Sequence, residues 1–287
     1  MARWVQKFGG SSLATVNHIK KAAERVAMSV NQGHEIVVVV SAMQGETDRL
    51  HALLNSIDVS PSDRELAALQ STGEQVSAAL MAAALQQLGI SALSLNATQA
   101  GIYVNHGHLK ADIKKIDASV LLPLLPTQVP VITGFQGVNQ LGECATLGRG
   151  GSDLTAVALA DAINADECQI FTDVAGVYAA DPRLVPQAVL LNQLRYSEML
   201  ALAQSGAKVL QMRAVEYGLR FSVPIRVLSS FSSAVGTLVL PDSGYVNTAM
   251  VVGLASEKEQ VLFSLQQVTS SAALERVLLK ETAGQGI

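Results

Sequence analysis

Hydrophobic positions in this chain group into a few kinds of run, and the earliest set the architecture. Glu35-Ile36-Val37-Val38-Val39-Val40 is almost continuously β-branched, the pattern of a strand covered on both faces. Upstream, Leu13, Val16, Ile19, Ala23, Val26 and Val30 recur at helical spacing, with Lys20, Lys21, Glu24 and Arg25 between them. Gly33 ends that helix, and Trp4 to Phe8 reads as a strand before it. Strand, helix, strand is a βαβ unit, so the sheet is locally parallel.

The same reading continues downstream. A helix is expected to begin at Thr47 or Asp48, and Ser60-Pro61-Ser62-Asp63 caps a long helical stretch to about Leu88. Ser91 to Leu95, Ile102 to Val104 and Val129 to Thr133 read as strands, and Ile116 to Leu125 as a helix. Gly134 to Asn139 reads as a loop. Glu167 to Thr172, Pro224 to Leu228 and Thr237 to Val239 complete the strands of the main domain. Tyr196 to Leu202 and Lys208 to Leu219 are helical. From about Pro241 the character changes: Met250 to Leu254 and Gln260 to Leu265 read as strands, and Ser271 to Lys280 as a helix. A fragment of that size buries little core by itself.

Polar residues collect where these strands end. Lys7 stands at the end of the first strand, followed by Gly9-Gly10-Ser11-Ser12; Ser41 and Thr47 follow the second. Such turns at carboxyl ends of strands are where open α/β sheets bind ligands. The central segment is Thr146-Leu147-Gly148-Arg149-Gly150-Gly151-Ser152-Asp153, running straight into apolar Leu154 to Ala160. Ser152 or Asp153 is the expected N-cap, with backbone N–H groups aimed at an anion. Arg149 adds a planar cation and Asp153 a carboxylate, a pairing that suits a zwitterion or an anion handled by a charge relay. Gly73 and Glu74 interrupt an Ala- and Leu-rich helix; Gly73 marks a break or a close approach, and the spacing leaves Glu74 on a solvated face. Asp173, Tyr178, Asp181, Pro182 and Arg183 make a loop with an aromatic ring, a cation and carboxylates, able to hold an adenine and its phosphates.

Composition narrows the classes. The 287 residues are 49% hydrophobic but only 4% aromatic, which fits helices packed on a buried sheet. A net charge of -4 without a basic tract argues against nucleic acid as a partner. Cys144 and Cys168 match no metal or redox spacing. His106 and His108 lack companions for a metal shell and read as a hairpin tip. No run approaches a membrane span, so the expectation is a cytoplasmic protein with no membrane partner. Neither a Walker A loop nor G-x-G-x-x-G is present, which removes the usual warrants for a P-loop ATPase or a dehydrogenase.

Taken in order, Lys7-Phe8-Gly9-Gly10-Ser11-Ser12, Ser41-Ala42-Met43, Thr72-Gly73-Glu74, Gly134-Phe135-Gln136-Gly137, Thr146 to Asp153, Thr172 to Arg183 and Gly206-Ala207-Lys208 resemble the aspartokinases of the amino-acid kinase superfamily. The resemblance covers residues 3 to 240. It implies a three-layer αβα sandwich with a mainly parallel central sheet over residues 1–240, and a linker with an incomplete ACT-like segment over 241–287. It implies ATP-dependent phosphorylation of L-aspartate to β-aspartyl phosphate, the entry to lysine, threonine and methionine, in a homo-oligomer such as a dimer. Carried over by motif, Lys7, Phe8, Gly9 and Gly10 meet the phosphates with Lys208 and Val209 opposite, and Thr172, Asp173, Tyr178, Asp181, Pro182 and Arg183 line the nucleotide site. Arg149 clamps the aspartate α-carboxylate and Glu74 balances its ammonium. Ser41, Thr47 and Ser152 donate hydrogen bonds, and Asp153 faces the ammonium or orients the lysines. Mg²⁺ rides on ATP. Alternatives are another superfamily member, such as a glutamate 5-kinase, acetylglutamate kinase or uridylate kinase, and a non-catalytic nucleotide-binding or regulatory subunit.

Overall fold

The β-branched run is strand β2 (Glu35–Val40), and its two faces pack on different helical layers. Ile36, Val38 and Val40 join a core with Ile19, Ala22, Ala23 and Val26 of α1 (Val16–Asn31) and Ala78, Met81, Ala82 and Leu85 of α3 (Asp63–Gln87). Val37 and Val39 point the other way, into a core with Ala156, Val157, Leu159 and Ala160 of α4 (Gly151–Ala162). Period-two alternation thus puts consecutive valines in opposite layers. Each fully buried valine contributes about 1.5 kcal/mol or more. The result is the expected αβα sandwich. This computed structural model describes residues 1–57, 60–207, 209–242 and 251–256. Lys208 and the expected elements from Gln260 onward lie outside the described residues.

Beside β2 lies β1 (Arg3–Phe8), with β9 (Glu167–Thr172) on its other side, both parallel to it. β6 (Val129–Thr133) and β3 (Ala92–Leu95) extend the sheet beyond β2. β11 (Ile225–Ser229), β12 (Thr237–Leu240) and β10 (Gln193–Arg195) extend it beyond β9. Within this eight-stranded sheet only the β11–β12 pairing is antiparallel among the described residues. The chain leaves β1 in one direction through α1 and returns to its other side through α4. β1 is therefore a topological switch point, where such sheets open a cleft at the strands' carboxyl ends. The β1–β2 register pairs Arg3 with Glu35 and Lys7 with Val39. Arg3 Nε donates to Glu35 at 2.8 Å at one end, and Ser41 N–H donates to the Phe8 carbonyl at 3.0 Å at the other.

Several local expectations are corrected. Ile116 to Leu125 is not a helix. β5 (Ile113–Ile116) pairs with β4 (Ile102–Val104), and a 3₁₀ turn at Ala118–Val120 follows. Asp117 captures the Ser119 hydroxyl at 2.7 Å, a local bond that competes with the helix, and Pro123 cannot continue one. Gly134 to Asn139 is not all loop: β7 (Gln136–Val138) pairs with β8 (Cys144–Thr146) in a second, four-stranded sheet. Gly137 lets it close, since a Cβ there would lie 2.2 Å from Val104 Cγ1. The helix expected from Lys208 begins as α6 (Met212–Phe221), after an approach that buries Leu210. Residues 251–254 form no strand; Leu254 N–H instead donates to the Ala179 carbonyl at 2.7 Å. α2 (Glu46–Asn55) and α5 (Tyr196–Gln204) match their expected places.

Candidate active site

Alternation along β1 decides where its lysine goes. Val5 sits in the core on the α4 side and Phe8 in the core on the α1 side, so Lys7 shares the α4 side with Val5. There Lys7 Nζ meets Asp153 Oδ1 at 2.5 Å, with both side chains close to nine-tenths buried. Asp153 lies in the first turn of α4, where a carboxylate also complements the helix dipole. Gly9 keeps the space beyond open, because a Cβ there would be 3.4 Å from the ammonium.

The N-cap of α4 is Gly150, at φ +71°, rather than Ser152 or Asp153. A left-handed cap places both polar residues inside the first helical turn, facing the cleft. It also consumes donors: Gly151 N–H bonds to the Gly148 carbonyl at 2.9 Å and Asp153 N–H to the Gly150 carbonyl at 3.1 Å. The helix terminus is a smaller anion cradle than the sequence suggests, and more of the positive charge comes from side chains. Arg149 stands exposed on this loop.

Glu74 is buried, contrary to the solvated face expected from spacing. It is 3% exposed, and its Oε1 accepts Ala42 N–H at 3.0 Å. Its other oxygen, Oε2, is buried without a partner among the described residues. Burial pushes this carboxyl up from 4.5 to about 7, partly offset by the Ala42 N–H. Gly73 explains how α3 comes so near: a Cβ there would lie 2.9 Å from that of Ala42. The helix is unbroken at Gly73, so the close approach is of α3 to the loop after β2.

These elements enclose a cleft of about 370 Å³ at the carboxyl ends of β1 and β2. Lys7, Gly10, Ser41, Thr47, Glu74, Arg149, Ser152 and Asp153, all singled out from sequence, line it together. Phe135, Gln211 and Asp48 line it as well and were not anticipated. Phe135 adopts φ +69°, a left-handed conformation rare for an aromatic residue; nothing in its sequence neighbourhood betrays Gln211.

Of the described residues expected around the nucleotide, Lys7 and Gly10 line this cleft and the others fall outside its lining. Thr172 and Asp173 end β9, and the Thr172 hydroxyl donates to Asp173 at 3.1 Å. Tyr178 forms an isolated bridge with Leu190. Arg183 folds back on Asp181, through Nη2 at 2.8 Å and Nε at 3.0 Å, with Pro182 between them. Phe8 is a core residue stacked on Phe171 at 4.7 Å, and its carbonyl is taken by Ser41, so its role is to anchor the strand end. Val209 is half-buried beside the core of α4 and α6. No group of three or more His, Cys, Asp or Glu able to hold a metal occurs among the described residues. No described helix is long and apolar enough to cross a membrane.

A parallel sheet opened at β1, with a buried lysine, a glycine-rich helix start and a cleft of mixed charge, is the arrangement of one family of α/β proteins. The chain belongs to the amino acid kinase family, whose model matches residues 2–229. Among its relatives, an aspartate kinase of Stutzerimonas stutzeri is 47% identical over 270 residues, 93% of this chain and 66% of that protein. The solved aspartate kinase of Synechocystis aligns with a TM-score of 0.77 and 45% identity, over 84% of this chain and 40% of that one. E. coli aspartokinase III, solved with aspartate and ADP, gives a TM-score of 0.71 at 28% identity, over 83% of this chain and 64% of that one. The chain thus spans just under two thirds of the length of the Stutzerimonas relative.

Proposed function

We propose that this chain transfers the γ-phosphoryl group of MgATP to the β-carboxylate of L-aspartate, giving β-aspartyl phosphate and ADP. The observation that carries the reading is the unpartnered Oε2 of buried Glu74, set in the same cleft as Arg149 and Lys7. A buried carboxylate without a counter-charge is costly, and a substrate ammonium supplies one. An N-acylated amino acid has no such charge, which favours a free one. Arg149 then takes the α-carboxylate, and Ser41, Thr47 and Ser152 donate hydrogen bonds around the substrate. The relatives named aspartate kinase, and the E. coli structure holding aspartate and ADP, support the same substrates.

The chemistry asks for positive charge rather than a base. A β-carboxylate has an ordinary pKa of about 3.9 and is ionised at neutral pH. Its oxygen attacks the γ-phosphorus, the bond to the β–γ bridging oxygen breaks, and ADP leaves with the electron pair. Two anions must meet, so the site's task is to neutralise charge during transfer. Lys7 does this from the end of β1, held in place by Asp153, and Lys208 is the second cation implied by the motif. Thr172, Asp173, Tyr178, Asp181 and Arg183 form the nucleotide side. Mg²⁺ enters as part of the nucleotide substrate. Such an activity stands at the entry to lysine, threonine and methionine synthesis.

The test is an assay with aspartate and ATP in which hydroxylamine traps the acyl phosphate as aspartyl hydroxamate. Hydroxamate formation with aspartate, and none with N-acetylglutamate, is expected; the reverse profile would overturn the assignment.

A further inference from the structure

The glycine loop that presents Arg149 does not support itself. Its entry carbonyl, that of fully buried Leu147, accepts a hydrogen bond from Arg213 Nη1 in the first turn of α6. The same guanidinium donates through Nη2 to the Ala111 carbonyl at 3.1 Å and pairs with Asp112 at 2.6 Å. Ala111 N–H in turn donates to the Thr146 carbonyl at 2.9 Å, and Leu147 N–H to the Phe135 carbonyl at 2.8 Å. One planar fork therefore ties the start of the glycine loop, the segment before β5 and α6 together. Further along, the loop rests on the residue that begins α6: a Cβ at Gly150 would lie 2.3 Å from Gln211 Cγ.

We propose that Arg213 is a positioning residue, whose hold on the Leu147 and Ala111 carbonyls sets where the glycine loop lies and so where Arg149 meets the substrate carboxylate. It touches no reactant. Its part rests on reading the cleft as the amino-acid site, and it acts through Arg149. Guanidinium suits the task because its five fixed donors serve two carbonyls and a carboxylate at once, whereas an ammonium is a compact point charge. Exposed Asp112 neutralises the fork from the segment before β5, while the carbonyl bonds to Leu147 and Ala111 do the positioning.

Arg213→Met, Arg213→Lys and Asp112→Asn in the full chain test this by two independent readouts. In ligand-free protein, amide hydrogen exchange of peptides covering 147–153 is expected to quicken at least tenfold in Arg213→Met, with β1 and β2 unchanged. In initial-rate measurements, the same variant is expected to raise the KM for aspartate at least tenfold while the KM for MgATP stays within twofold. Arg213→Lys should recover part of both effects, and Asp112→Asn should stay within twofold of the parent throughout. Exchange at 147–153 within twofold of the parent in Arg213→Met overturns the proposal, as does an Asp112→Asn effect equal to that of Arg213→Met. If Arg213→Met unfolds, Arg213→Lys decides: local quickening at 147–153 supports positioning, and none overturns it. If the parent makes no aspartyl phosphate, the functional assignment fails while the exchange readout still decides the role of Arg213.

Discussion

Lys7 Nζ and Asp153 Oδ1 lie 2.5 Å apart, on elements that share no sequence neighbourhood, with side chains 11% and 9% exposed. Taking two charges out of water is repaid only while both are present. Asp153→Leu strands a buried ammonium, and Lys7→Met a buried carboxylate. Each single change is expected to cost about 3 kcal/mol in urea denaturation, with the double change Lys7→Met/Asp153→Leu costing less than either. Lys7→Met should also lose turnover by at least two orders of magnitude, matching the removal of one strong electrostatic contact in a transition state. Singles that add in the double variant would show that the pair is not coupled.

Glu74 should make stability depend on pH in an unusual direction. Its folded-state pKa is raised from 4.5 to about 7, so the unfolded chain releases the proton first. Between those two values the folded state binds more protons, and its contribution to stability falls as pH rises. The full loss, reached above about pH 7, is about 3 kcal/mol on the basis of 1.36 kcal/mol per unit. Glu74→Gln should flatten the dependence between pH 5 and 8, stabilise the ligand-free protein at pH 8 and raise the KM for aspartate at least tenfold. A parallel pH profile in the two proteins would sink this account.

Aspartate binding is expected to mirror that trend. An ionised Glu74 attracts the ammonium more strongly than a neutral one, so affinity should rise as pH climbs through about 7. Calorimetric titration between pH 6 and 8 measures it, and the trend should vanish in Glu74→Gln.

Gly73→Ala separates stability from catalysis. Alanine gains about 1 kcal/mol of helix propensity. Against this, the new Cβ would press on Ala42 at 2.9 Å, and overpacking costs about 1–3 kcal/mol. The melting temperature should therefore move little, while the displaced Ala42 N–H and Glu74 raise the KM for aspartate several-fold. Unchanged kinetics would mean that the contact is slack.

At Gly150 strain and collision act together. Alanine at φ +71° costs about 1–2 kcal/mol in backbone strain alone, and its Cβ would lie 2.3 Å from Gln211 Cγ. Gly150→Ala is expected to destabilise by more than 2 kcal/mol in urea denaturation. Adding Gln211→Gly should restore only the collision part.

Much of the cleft was legible because its residues punctuate strong patterns. Lys7, Ser41 and the Thr146–Asp153 loop stand where apolar runs stop, and runs buried on both faces announce parallel strands. What stayed hidden depends on distant partners. β10 is three residues long and gains its place only by pairing with β12, too short for any period to emerge. The β7–β8 hairpin hides in a glycine-rich stretch because its fit lies in what Gly137 lacks. Glu74 reads as solvated from helical spacing, since nothing local reveals that the loop after β2 will cover it. Gln211 enters the cleft only because α6 folds back against Gly150.

Because β2 is apolar on both sides, hydrophobicity alone does not distinguish its register against β1 from one shifted by a residue; only the detailed packing of the two layers and polar contacts do. The grip of Arg3 on Glu35, at the far end of the strand from the cleft, adds a contact that fits the observed register. A half-sheltered ion pair thus contributes to the alignment of a lysine one strand-length away.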